Sequence, residues 1–386
     1  MKVLISAGEA SGDLHGAALA NLAKSLAPEM EFCGLGGDLM AAAGVKLLAH
    51  LSETAVMGLT EVLGSLPRIL KTRQKMARAL LTEKPKALIL IDSPDFNFYL
   101  AKKAYNLGVP VIYYICPQIW AWRSSRIKFL AHYCARRAVI LPFESDFYQK
   151  HGVSVDLVGH PLLDGLKPIG QEAAKKELGF APNKPVLAIL PGSRKALAKR
   201  LIAPMLGAAE ILLKDWPDLI LALPRAQSLD ADFLKAAISK APPSVLANLQ
   251  VFDGQAPTVL EAADAALLAS GTSTVEGTIL GTPMVVAYKT SWLTYFLAKR
   301  LVKVSHISIA NLLVGRQILP ELIQDRATPL LMAEALRPLL TKGPVRDQAL
   351  TDLKTAKNAL GQSGASEKVL RLTLAEIEKA QKALKP

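Results

Sequence analysis

An apolar run, Ala87–Ile91, leads into Asp92-Ser93-Pro94-Asp95-Phe96-Asn97. A carboxylate at the carboxyl end of a buried strand is placed to take a proton from a hydroxyl. Pro94 fixes the turn, and Asp95 is the candidate general base. Asp92, nearer the strand, is read as bracing the loop by hydrogen bonds, and whether it shares the catalytic role is left open. The competing reading makes both aspartates ordinary turn residues. A second constellation, Gly8-Glu9-Ala10-Ser11-Gly12-Asp13, joins the first apolar run to a helix. It lacks the dinucleotide G-x-G-x-x-G spacing and the Gly-Lys-Ser/Thr of a P-loop. Glu9 and Asp13 would repel phosphate, so Glu9, Ser11, Gly12, Asp13 and Asn97 are candidates for holding sugar hydroxyls. The alternative is that Ser11 or Asp13 caps the helix.

Two small-residue loops follow strands further along. Leu190-Pro191-Gly192-Ser193-Arg194 offers backbone N–H groups and a guanidinium to a diphosphate. Ser270-Gly271-Thr272-Ser273-Thr274-Val275-Glu276-Gly277 opens a helix and forms an anion cradle. Glu276, one turn in, could hold ribose hydroxyls. Gly192, Ser193, Arg194, Gly271, Thr272, Ser273, Thr274 and Glu276 are therefore nucleotide-binding candidates, although helix capping explains part of the second loop.

Pro117–Arg126 interleaves aromatic and basic groups, with Trp120 and Arg123 as candidate acceptor contacts. Sugar stacking, single-stranded nucleic acid and plain packing all suit that composition. Gly34–Asp38 reads as a glycine-rich turn. The stretch 55–81 carries Val56, Leu59, Leu63, Leu66 and Ile69 at helical spacing, with Arg68, Lys71 and Arg73 among them. With Met57 these are candidate membrane contacts, against the alternative of a core-facing helix. Asp230-Ala-Asp232 matches D-x-D but stands away from both phosphate loops and reads as a solvated helix start. The histidines lack metal-ligand spacing, and His160 is read as structural. No metal is expected.

The elements that position these groups follow a simple rhythm. Short apolar runs at Val3–Ser6, Ala87–Ile91, Val111–Ile115 and Ala138–Leu141 alternate with helical patterns. A second series follows at Val186–Leu190, Leu219–Leu223, Ala265–Ala269 and Met284–Tyr288. Two such series predict an α/β protein of two Rossmann-like, doubly wound domains facing an interdomain cleft. The expected bounds are 1–163 and 164–344, with 345–386 packing back onto the first domain. The 386 residues suffice for two cores, and 46 Lys plus Arg against 33 Asp plus Glu leave a net charge of +13. That excess attracts anions without choosing among them. Cys33, Cys116 and Cys134 form no C-x-x-C pair, which argues against a disulfide framework or zinc site and for a reducing cytosol. The uncharged run 104–122 is broken by Pro110 and Pro117, so a soluble or peripheral chain is expected.

Taken together, Gly8–Asp13, Val56-Met57-Gly58, Asp92–Asn97, Tyr113–Arg126, Leu190–Arg194, Ser270–Gly281 and Asn311–Glu321 resemble the lipid-A-disaccharide synthase family, in order and over most of the chain. The resemblance implies a GT-B fold and an inverting, metal-independent transfer. It implies UDP-2,3-diacylglucosamine as donor, lipid X (2,3-diacylglucosamine 1-phosphate) as acceptor, and a β-1,6 disaccharide 1-phosphate plus UDP as products. It also implies a peripheral location on the cytoplasmic face of the inner membrane of a Gram-negative-type bacterium, against the phospholipid surface. Nucleic acid is not an expected partner, and a homodimer is left open. By the match Asp95 is the expected catalytic carboxylate, and Arg194, Glu276 and Asn311 fall on positions tied to the nucleotide or catalysis. The chain departs from the family at Ile309-Ala310-Asn311, where a proline usually precedes the asparagine, and at Cys116. The rivals are another GT-B UDP-sugar enzyme (a hexosaminyltransferase or epimerase) and a non-catalytic nucleotide-binding protein.

Overall fold

The computed structural model describes residues 1–53, 61–302 and 304–383, with the backbone alone described at 61–65 and 297. Two parallel sheets are present. The first contains β1 (Lys2–Ala7), β2 (Glu31–Gly36), β3 (Lys46–His50), β4 (Ala87–Ile91), β5 (Val111–Tyr114), β6 (Arg136–Val139) and β7 (Asp156–Leu157), in the order β3-β2-β1-β4-β5-β6-β7. The second contains β8 (Val186–Leu190), β9 (Ile220–Arg225), β10 (Leu249–Asp253), β11 (Ala265–Ala269), β12 (Met284–Tyr288) and β13 (Glu321–Ile323), in the order β10-β9-β8-β11-β12-β13.

The central strands are apolar along their length because helices cover both faces. In the first sheet Val3, Ile5, Ile89 and Ile91 face one layer, with residues of the helix Ala10–Leu26. Leu4, Leu88 and Leu90 face the other, with Met76 and Leu100. The second sheet alternates likewise. Leu187, Ile189 and Leu267 pack with the helix Lys195–Leu213, and Val186, Ala188 and Leu268 with residues such as Leu260 and Leu353. This period of two is the strand geometry the apolar runs require.

Met1–Gly165 and Leu360–Pro386 form one unit, and Leu166–Ala359 forms the other. The expected return of residues 345–386 onto the first domain is divided. The helix Pro344–Ala359 packs within the second unit, and the helix Ala365–Ala383 packs on Ala10–Leu26 in the first. Gly34 and Gly36, read as turn residues, lie inside β2. A Cβ on Gly34 would stand 1.8 Å from the Ile5 carbonyl oxygen, so the glycine serves close strand approach.

Candidate active site

In each sheet the direction of strand succession reverses once, between β1 and β4 and between β8 and β11. Loops leaving the two carboxyl ends there diverge and open a crevice, the usual ligand position in such sheets. Glu9 and Asp92 leave β1 and β4. The Gly192 and Gly271 loops leave β8 and β11.

At the end of β4, Asp92 and Ser93 both adopt left-handed backbone conformations, with φ of 46° at each. Two consecutive non-glycine residues there are strained and persist only when their surroundings hold them. Asn97 supplies much of that hold. Its side-chain amide donates to the carbonyls of Ile91 at 3.2 Å and Asp92 at 2.8 Å, and its Oδ1 accepts from Ser6 Oγ at 2.7 Å. The Tyr113 hydroxyl also donates to the Asp92 carbonyl, at 2.8 Å. Gly8 leaves room for Ser93, whose Oγ would stand 2.7 Å from a Cβ there. The Asp92 carboxyl is largely buried, and burial, with the charge of Glu9 adding to it, pushes its pKa up to about 6. A carboxylate so raised matches the requirements of a general base near neutral pH.

Asp95 has a different setting. Its side chain is 78% exposed and meets Arg126 Nη2 at 2.6 Å and Arg123 Nη1 at 3.8 Å. Two guanidinium groups therefore engage it at the protein surface, whereas the Asp92 carboxyl is largely withdrawn from solvent at the end of β4.

Several expected ligand groups are engaged within the protein. Asp13 accepts the backbone N–H groups of Gly37, Leu39 and Met40, capping the helix Asp38–Ala42. Asn97 is fully buried and its amide is spent on the loop. Gly12 packs against Ala7 and Ile91, which explains its size without a ligand. The Trp120 indole donates to Glu144 at 3.0 Å and meets the Phe143 ring edge-on. Glu144, which lies in a segment of the family resemblance (Leu141–Glu144) but carries no expected role, is buried, and its pKa is pushed up to about 7 by that burial. It also accepts from Ile140 and Leu141 N–H. Glu9 is exposed, Ser11 half-buried, and Arg123 lies over the Trp122 ring at 4.3 Å.

In the second unit Gly192 has φ of +100°, and a Cβ there would meet both Ala269 and Leu197 at 3.2 Å. The glycine thus lets the β8 loop cross the end of β11 closely. Ser193 and Arg194 are exposed. The Ser193 carbonyl accepts from Ser228 Oγ, and no side chain caps the helix that Arg194 begins. Gly271 and Thr272 are exposed, Ser273 is half-buried, and the helix Thr272–Leu280 also starts without a side-chain cap. These starts retain N–H groups for an anion. Thr274 differs, since its hydroxyl donates to the Gly271 carbonyl at 2.8 Å. Burial raises the pKa of Glu276. Asn311 is fully buried with its amide saturated: it donates to Leu319 O and Glu321 Oε1 and accepts from Ile318 N and Leu319 N. It closes a loop and has no hydrogen-bonding capacity left for a nucleotide. Asp230 caps its own helix through Phe233 N, as a solvated helix start would. Among the described residues no group of three or more His, Cys, Asp or Glu is placed to hold a metal ion.

Of the expected membrane contacts, Val56, Met57, Leu59 and the Leu63 side chain lie outside the described residues. Leu66, Arg68 and Lys71 are exposed. Ile69 instead packs against the core, and the Arg73 guanidinium lies 4.8 Å from the Tyr99 ring centroid. No described helix is long and apolar enough to cross a membrane.

Comparison with known proteins sharpens this picture. The family described as lipid-A-disaccharide synthetase matches residues 3–372. Lipid-A-disaccharide synthase of Myxococcus xanthus is 39% identical over 374 residues, 97% of each chain. That of Anaeromyxobacter sp. is 41% identical over 368 residues, 95% of each chain. That of Pseudomonas aeruginosa is 39% identical over 373 residues, 96% of this chain and 98% of its own. Among solved structures, the Neisseria meningitidis UDP-GlcNAc 2-epimerase bound to UDP-GlcNAc superposes with a TM-score of 0.67 at 13% identity, over 97% of this chain and 100% of its own. The calicheamicin glycosyltransferase CalG4 does so at 0.56 and 16% identity, over 100% and 99%. At such identities the likeness concerns the fold alone, two parallel-sheet α/β domains of the GT-B class.

Proposed function

The chain belongs to the lipid-A-disaccharide synthase family and is a disaccharide-forming glycosyltransferase, and from that premise we propose its substrates and the residues that act on them. The donor is UDP-2,3-diacylglucosamine and the acceptor is lipid X. The products are the β-1,6-linked disaccharide 1-phosphate and UDP. Asp92 takes the proton of the acceptor 6-hydroxyl as that oxygen attacks the donor's anomeric carbon, and the configuration inverts. The observation that carries this assignment is the carboxyl of half-buried Asp92, held on a left-handed backbone at the β1–β4 reversal. Asp95 then serves to hold Arg126 and Arg123 in place.

The departing UDP gains charge on its diphosphate. The uncapped helix starts at Lys195 and Thr272, with Arg194, would stabilise that charge in place of a metal. Glu276 would receive ribose hydroxyls. The acyl chains remain at the cytoplasmic face of the inner membrane, with Leu66 and Lys71 of the helix Glu61–Thr82 towards the lipid.

The test is to supply the purified chain with both lipids and EDTA and follow the disaccharide by mass. Absence of product would overturn the substrate assignment or the metal independence, and adding Mg²⁺ separates the two. Asp92→Asn is expected to lose about 10²–10⁴-fold in turnover, the usual worth of a positioned base. If Asp95→Asn loses more than Asp92→Asn, the base is Asp95.

A further inference from the structure

The helix Trp292–Leu301 of the second unit presents large apolar groups to solvent. Trp292 is 62% exposed, Leu293 71%, Phe296 51% and Leu301 58%. At 100° per residue, Trp292, Phe296 and Leu293 fall within one arc, and Lys299 and Arg300 fall within or beside it. The Arg300 guanidinium lies 3.8 Å from the Phe296 ring centroid, and Trp292 meets Tyr295 edge-on. The helix packs only lightly against its neighbours. Exposed apolar side chains grouped on one face mark an interaction surface.

Charge identifies the partner. From Gly277 to Pro320 the sequence contains no Asp or Glu, while Lys289, Lys299, Arg300, Lys303 and Arg316 fall within it. Among the described residues Lys289, Lys299 and Arg300 form no ion pair with a carboxylate. Tryptophan, tyrosine and phenylalanine beside unpaired cations suit the headgroup layer of an anionic bilayer, where rings sit at the boundary and cations meet phosphates. We propose that the face formed by Trp292, Leu293, Phe296, Lys299 and Arg300 docks the second unit on an anionic phospholipid surface. This rests on the reading that the substrates are membrane lipids, and it adds a contact outside the helix Glu61–Thr82.

The test uses the full chain and vesicles without substrate. Flotation compares phosphatidylcholine vesicles with vesicles containing phosphatidylglycerol. Wild type is expected on the anionic vesicles, with binding that falls as salt rises. A Trp292→Ser, Leu293→Ser, Phe296→Ser triple variant is expected to lose about tenfold or more in vesicle affinity. A Lys299→Glu, Arg300→Glu variant is expected to lose about as much on the anionic vesicles only. Both should keep the thermal midpoint and the turnover on detergent-dispersed substrates. Wild-type vesicle binding by both variants overturns the proposal. So does loss of detergent-dispersed turnover, which assigns the face to the substrate site. A change from dimer to monomer with vesicle binding intact overturns it too, because the face then joins two copies. The vesicle arm contains no sugar substrate, so its result stands apart from failure of the proposed reaction.

Discussion

The side-chain amide of Asn97 donates to the backbone carbonyl of Asp92 at 2.8 Å, while its Oδ1 accepts from Ser6 on the neighbouring strand. One buried side chain thereby fastens a strained pair of residues to β1. Asn97→Ala leaves the Ser6 hydroxyl and the Ile91 and Asp92 carbonyls without that partner in the interior. A loss of about 2–4 kcal/mol in urea unfolding is expected, together with a fall in kcat larger than any change in KM. Unchanged stability would show that the loop holds itself.

The Asp92 carboxyl makes an opposite prediction for stability. Its pKa rises from 3.8 to about 6 in the folded chain, so the protonated form suits the fold better. The sign follows: the stability tied to this group is fully present below pH 4 and is lost as pH rises through 6. Asp92→Asn should therefore raise the thermal midpoint at pH 8, by at most about 3 kcal/mol in free energy, with little gain at pH 4. In the wild type, turnover should fall about tenfold per pH unit below about 6, since the base must be ionised. A flat profile from pH 5 to 8 would remove Asp92 from the role.

Gly192 tests the nucleotide loop. Its φ of +100° and the 3.2 Å approach to Ala269 and Leu197 leave little room for a methyl group. Gly192→Ala should cost about 1–3 kcal/mol and raise the KM for the UDP-sugar. Arg194→Ala, at an exposed side chain, should raise that KM with almost no effect on stability. Equal KM values for Arg194→Ala and wild type would place the diphosphate elsewhere.

Asn311 is expected to behave as a structural residue. Its four hydrogen bonds and full burial mean that Asn311→Ala should lower the unfolding free energy by about 2–4 kcal/mol. UDP affinity of the folded fraction, measured by calorimetry, should stay within about threefold of wild type. A selective loss of UDP binding with intact stability would restore its place in the site.

Most central strands were legible because a strand buried on both faces is apolar throughout, as Ala87–Ile91 and Val186–Leu190 are. The central strand β2 was not, because Gly34 and Gly36 made its end read as a turn. Edge strands β3, β7, β10 and β13 were not, since partial burial mixes polar residues into short runs such as Leu249–Asp253. The loops that carry chemistry could be found from their place after a strand. The occupation of their side chains could not. Asp13, Asn97 and Asn311 have the residue types that bind ligands, yet each is consumed by partners distant in sequence or by its own loop. The same limit separates Asp92 from Asp95, three positions apart: burial and two arginines distinguish them, and neither is encoded by spacing.

The terminal helix Ala365–Ala383 belongs to the unit the chain built first. The Asp164 carboxylate accepts the N–H groups of Gly364, Ala365 and Ser366 at its start, and Val369, Leu370 and Ile377 fill the cluster around Val3 and Ile5. A nascent chain therefore emerges with that cluster unsealed and must translate all of Leu166–Ala359 before the cover arrives. At 5–20 residues per second the delay is on the order of ten to forty seconds. Through that interval the apolar face is open to chaperones and to other nascent chains, and a premature stop anywhere in the second unit leaves the first one incomplete.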